Sequence, residues 1–400
     1  MKKITAILLG ALAIFAISCQ NPTENTGAMQ MNFQTADGDY FPIEMEMEAA
    51  ADSEPSFIFF NGTEQITATS TKLDESSIRI EMPVFESYFE MNRMENGQWK
   101  GFYYDPSRGE AYRIPVYTSE KTEDWQRSEA APHKNYAFHY GDNLEFSGYA
   151  FLELENGQLH GTIRSEIGDY RFLSGWLKGE AFRFQTFDGS HVYHWNGKLD
   201  KDGAIRGTFY SGNHFSAPFE FRPVSDVDFG DANELTRVIS PIQFELPLSL
   251  SDSLAYPQER FDGKVVLIQV LGSWCPNCMD ETRFIADDLY PEFHDQGFEV
   301  IGIAFERYRD AERNFAAIDK MKRDLNVEYP VVLGGFADKQ EAGKVLPFLS
   351  EVISFPTTIL IDQNGSIVKV HTGFDGPGTG DPYDEYVKET KALIRDLLEQ

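Results

Sequence analysis

The chain has 400 residues, 42% of them hydrophobic and 25% charged, which suffices for two or three domains with ordinary globular cores. Its net charge of -29 argues against nucleic-acid binding and leaves no basic patch for an anionic membrane surface. Three cysteines are too few for a scaffold stapled by disulfides.

Met1-Lys2-Lys3, followed by the apolar run from Ile4 to Ile17, reads as an export signal that is too short to span a bilayer. Phe15-Ala16-Ile17-Ser18-Cys19 resembles a bacterial lipobox, with Ala16 where leucine is commoner. The resemblance implies removal of residues 1–18, lipid on the sulfur of Cys19 and a membrane tether; the alternative is plain cleavage and a free periplasmic protein. Gln20 stands where many inner-membrane lipoproteins carry aspartate, which favours the periplasmic face of the outer membrane. Residues 19–30, rich in Asn, Thr, Pro and Glu, read as a flexible tether.

From residue 31 to 225 the sequence consists of short alternating runs broken by Gly, Asn and Asp, such as Ser77-Ile78-Arg79-Ile80-Glu81-Met82. Such alternation predicts an all-β antiparallel barrel or sandwich. Asn96-Gly97, Asn156-Gly157 and Asp202-Gly203 each precede an apolar residue two places on and a second glycine, Gly101, Gly161 or Gly207. These repeats predict type I′ hairpin turns and a meander. His191 and His194 point to opposite faces of a strand, which is poor metal geometry, and the many aromatics read as core. No catalytic constellation stands out in this region. Residues 226–240, rich in Asp and without periodicity, read as a linker.

Beyond it the pattern is strand, helix, strand, helix, strand, strand, helix. The buried strand Val265 to Val270 runs into Trp274-Cys275-Pro276-Asn277-Cys278, and an amphipathic helix follows to about Gln296. Cys275 therefore sits at a helix N-terminus, where unpaired N–H groups and the dipole favour thiolate, while Cys278 can resolve a mixed disulfide. Pro276 suits the first helical turn. A structural zinc site needs about four ligands, and no second Cys pair or His cluster supplies them, so no metal or other cofactor is expected beyond a redox-active Cys275–Cys278 disulfide. The loop His371 to Gly380 lacks phosphate-loop spacing and reads as a flank of this site, and Glu306 to Arg309 as a solvated strand-to-helix turn.

This order, with the CxxC at the first helix and Phe355-Pro356-Thr357 before a late strand, resembles the thioredoxin fold over residues 241–400, and more narrowly the TlpA/ResA-like family of membrane-anchored periplasmic thiol–disulfide oxidoreductases. The resemblance implies that Pro356 is a cis-proline beside the cysteines, with Trp274, Phe355 and Thr357 helping to orient substrate. Gln269 stands where thioredoxins carry a buried aspartate, and Glu281 where the ResA-like branch has a proton-handling glutamate, one helical turn beyond Cys278. Val270-Leu271-Gly272 and an extended segment from Gly334 to Ile353 depart from the family pattern. The implied function is reduction of periplasmic protein disulfides, extending to cytochrome c maturation, fed by a membrane electron donor. A peroxiredoxin-like thiol peroxidase and a lipoprotein whose β domain docks a partner or an apolar ligand are the rival readings.

Overall fold

The computed structural model describes residues 24–25, 29–49, 54–121 and 128–400. Cys19 and the export signal lie outside the described residues, among which no helix is long and apolar enough to cross a membrane.

Strands up to Pro223 pair antiparallel in two separate nine-stranded sheets. The first closes on itself because Tyr40–Ala49 pairs with Met29–Gln34 on one side and with Ser56–Asn61 on the other. The second runs from Asn135–Tyr140 to Phe215–Pro223 and closes through Glu145–Glu155 against Gln158–Ser165. The β-rich region expected over 31–225 is thus two up-and-down barrels in tandem. Alternation fills each from within: in Ser56–Asn61 the inward Phe57, Phe59 and Asn61 are buried while their neighbours are not.

The repeated glycines have a physical reason. A Cβ on Gly101, Gly161 or Gly207 would lie 1.8, 1.8 and 2.1 Å from a carbonyl oxygen of the facing strand, so any larger residue would force the strands apart. Of the three turns, only Asn156-Gly157 has positive φ at both residues. At the other two the Asn96 and Asp202 side chains accept bonds from the Gln98 and Ala204 amides, both at 3.1 Å, so these are Asx turns rather than type I′.

The barrels interlock. The hairpin after Ala181–Phe187 carries Phe187 and Val192 into the core of the first barrel, where the Phe187 ring lies 5.0 Å from Phe33 and 5.1 Å from Phe59. Asn61 ties its backbone in both directions, donating to Phe187 O at 2.8 Å and accepting from Phe187 N at 3.0 Å. His191 pairs with Asp188 at 3.0 Å, and His194 stacks on Phe41 at 4.5 Å, so both histidines serve packing.

The third unit is a five-stranded sheet in the order Val331–Phe336, Phe298–Glu306, Val265–Leu271, Thr357–Ile361, Ile367–Thr372, parallel across the first three and antiparallel across the last two. Val265–Leu271 is wholly buried, as its run of apolar residues, broken only by Gln269, requires. The helix from Pro276 continues through one π turn, Ile285–Leu289, and stops at left-handed Gly297. Asp310 caps Ala311–Asp324, and Asp381–Leu398 is the last helix. The Gly334 to Ile353 segment contains the end of the edge strand and the helix Lys339–Val345, an element with too few residues for its periodicity to be read. Residues 226–240 are no free linker, since Thr372 N donates to Ala232 O at 3.1 Å and Ile239 N to Phe348 O at 2.7 Å.

The glycine geometry predicts opposite effects of one substitution. Gly101→Ala should destabilise the chain by about 1–3 kcal/mol through overpacking, whereas Gly343→Ala, helical and with nothing within 4 Å, should stabilise it by up to about 1 kcal/mol. Thermal denaturation of the two variants checks this, and equal shifts would contradict it.

Candidate active site

The strand Val265–Leu271 delivers the chain to Gly272 and Ser273, and the helix begins at Pro276 with Cys275 as its N-cap in extended conformation. Cys275 Sγ accepts a bond from the Cys278 amide at 3.3 Å, so its sulfur occupies the place of a capping oxygen. Cys275 and Cys278 form a disulfide with Cα atoms 5.2 Å apart. The Cys278 N–H aimed at Sγ and the positive end of the helix dipole favour the anion there once the disulfide is reduced.

The sequence-predicted residues converge. The Phe355–Pro356 bond is cis, and Phe355 O lies 3.5 Å from Cys275 Sγ. Gly373 N donates to Pro356 O at 2.8 Å, which places the glycine-rich loop on the flank of the site. Trp274 is fixed by Nε1 donating to Phe305 O at 2.9 Å, by Arg307 stacked 3.8 Å over its ring and by edge contact with Phe355 at 5.9 Å. Thr357 is the exception. It is buried with its hydroxyl donating inward to Ser354 O at 2.9 Å, so it shapes the Pro356 turn and offers a substrate nothing.

Glu281 is 1% exposed, one turn beyond Cys278, which excludes an ordinary solvated helix-start acid. Antiparallel register sets Gln269 beside Thr358, and both hold it: Gln269 Nε2 donates to Oε2 at 2.8 Å and Thr358 Oγ1 to Oε1 at 2.6 Å. Burial raises its pKa from 4.5 to about 7, against the pull of these two bonds. A carboxyl at that value can both give and take a proton near neutrality.

A second carboxyl escapes sequence reasoning. Glu306 closes the neighbouring strand and is buried, accepting from Ser273 N at 2.9 Å and Ser273 Oγ at 2.7 Å. The expected solvated turn is therefore wrong at this residue, because the backbone just ahead of Cys275 needs an acceptor that no strand partner provides. Burial again raises the pKa, to about 7. Asp280, next on the helix, is buried too, paired with Arg171 and Arg283 at 3.2 Å each. Its pKa is raised to about 6 by burial, which outweighs both guanidinium groups.

Glu281 and Glu306 hold protons in the folded chain to higher pH than in the unfolded one. The folded state then binds more protons between pH 4.5 and about 7, so stability falls as pH rises through that window. Glu281→Gln should flatten that fall by on the order of 1–3 kcal/mol. Urea denaturation at the two ends of the window measures it; an unaltered slope would mean that Glu281 is ionised throughout.

Residues 240–387 match the family described as Redoxin. Thiol-disulfide oxidoreductase ResA of Bacillus thuringiensis subsp. konkukian is 26% identical over 129 residues, 32% of this chain and 65% of that protein. ResA of Halalkalibacterium halodurans is 30% identical over 114 residues, 28% of this chain and 57% of its own, and ResA of Bacillus subtilis is 32% identical over 111 residues, 28% and 54%. The chain thus spans less than two thirds of each of these relatives. The five-stranded sheet, the disulfide at a helix N-cap and the cis-proline beside it form a thioredoxin-like fold, so the segment that matches Redoxin, carried behind two β-barrels, is similar to the ResA oxidoreductases.

Proposed function

We propose that the chain is a thiol–disulfide oxidoreductase that reduces protein disulfides at the periplasmic face of a bacterial membrane, tethered through lipid on Cys19. The observation that carries the chemistry is the Cys275–Cys278 disulfide at a helix N-cap, with a desolvated carboxyl, Glu281, one turn further on. In the reduced enzyme the Cys275 thiolate attacks one sulfur of a substrate disulfide. A mixed disulfide forms and the substrate's other sulfur leaves as thiolate. Glu281 as carboxylate takes the proton of Cys278, whose sulfur then attacks Cys275 Sγ. The second substrate thiol departs, the Cys275–Cys278 bond closes, and two electrons have passed to the substrate. A dithiol donor on the membrane returns the pair to its reduced form by the same exchange in reverse.

Pro356 and Phe355 offer the backbone against which an extended substrate segment lies, and Trp274 walls the approach. The reducing direction is what the resemblance to the TlpA/ResA-like family implies, and apocytochromes, whose cysteines must be reduced before haem attachment, are the substrates that resemblance extends to.

Cys278→Ser should accumulate the mixed disulfide on Cys275, detectable as a mass adduct, whereas Cys275→Ser should form none. A reduction potential above about -150 mV, toward the oxidising end of this chemistry, would reverse the proposed direction. In stopped-flow kinetics, resolution of the mixed disulfide should speed up as pH rises through about 7. Glu281→Gln should lose that inflection and slow the step by roughly 100-fold; a preserved inflection would take the proton role from Glu281.

A further inference from the structure

Thiol–disulfide exchange requires a partner sulfur in line with Cys275 Sγ, yet Cys275 is only 7% exposed. The barrels cover the residues on either side of it. Ser190, on the second barrel's interlocking hairpin, places Oγ 3.4 Å from Trp274 O, immediately before the redox pair. Asn277, between the two cysteines, donates to Asp169 Oδ1 of the second barrel at 2.9 Å and to Phe374 O at 3.0 Å. Ile167 O lies 3.5 Å from Ser354 Oγ, one residue before Phe355. A Cβ on Gly373 would come within 2.5 Å of the Ile167 backbone, and one on Gly168 within 2.7 Å of Asn277 Nδ2, so the seam has no slack. From the first barrel, Val84 and Phe85 enter the apolar cluster that contains Cys275, Cys278 and Phe374.

The backbone of residues 165–169 therefore lies against the Pro356 turn, where an extended segment would have to lie to present its sulfur to Cys275. Charged groups fasten it there. Arg171 joins Glu64 of the first barrel at 2.5 Å to Asp280 of the active-site helix at 3.2 Å, and Arg164 reaches Asp375 at 2.5 Å. The fastening is imperfect: Asp169, Asp280 and Asp375 each have one carboxylate oxygen, and Arg164 and Arg171 each the Nε, buried without a protein hydrogen-bond partner. Contact with solvent on opening would relieve part of that penalty. The chain also has a place to bend. Phe229 packs on the second barrel, 5.1 Å from Tyr149 and 4.5 Å under Arg164, and Ala232 O is tied to the redox sheet, so the bend falls at Gly230 and Asp231, which have no regular structure.

We infer that the Ser165–Asp169 hairpin is a built-in occupant of the substrate seat, and that a protein disulfide reaches Cys275 only when the interlocked barrels swing away as one body about residues 230–231. This rests on the oxidoreductase reading above and adds to it a size gate. The apparent rate with a bulky substrate is then the intrinsic rate multiplied by the open fraction.

The test compares the reduced full-length chain and its Arg164→Ala variant, each reacted with insulin and with the small aryl disulfide 5,5′-dithiobis(2-nitrobenzoic acid). Loosening the Arg164–Asp375 fastening should raise insulin reduction by about 10-fold or more while the small disulfide changes by less than about 2-fold. An insulin rate unchanged in the variant, or an equal rise for both reagents, overturns the gate and leaves the redox reading standing. Failure of the wild type to reduce either reagent removes both. Should Arg164→Ala not fold, hydrogen exchange on Cys278→Ser decides: the amides of residues 165–169 should exchange faster once insulin is trapped on Cys275, and unchanged protection overturns the proposal.

Discussion

The redox domain depends on one local arrangement, a cysteine sulfur standing where a helix cap needs an acceptor. Because the Cys278 amide points at Cys275 Sγ, the backbone donors that every helix start leaves unpaired become the electrostatic environment of the nucleophile. Pro276 lacks an N–H and so competes for none of this field. The buried strand before it and the cis-Pro356 turn beside it hold the cap in place.

Around that cap the domain keeps carboxyls where apolar residues would pack more easily. Among the described residues, Glu281 and Glu306 are both buried with no cation at hydrogen-bond distance, held by neutral donors that satisfy geometry without neutralising charge. Their raised pKa values have that common origin, but their placements differ. Glu281 lies one helical turn beyond Cys278, whereas Glu306 grips the backbone just ahead of Cys275.

The barrels are not an appendage. Their hairpins carry the hydrogen bonds to Trp274 O and Asn277, their loops enter the apolar core around the disulfide, and Arg171 binds all three units at one buried point. This enclosure removes water from around Cys275 and strengthens every electrostatic effect there.

What the sequence determined by itself is local. The strand, CxxC and helix order, the cap position of Cys275, the Pro356 turn and the hairpin meander are each set within a few residues by periodicity, turn chemistry and capping, and all are present. Tertiary structure decided the rest. Thr358 and Gln269 meet at Glu281 only through strand register, Glu306 is buried only because Ser273 lies beside it, and Thr357 turns inward because Ser354 O needs a donor. Likewise one alternating stretch closes into two barrels, since alternation marks faces and not partners. Asn277 meets Asp169 from 108 positions away and Arg164 meets Asp375 from 211, and no local propensity encodes a contact between surfaces that exist only once each domain has folded.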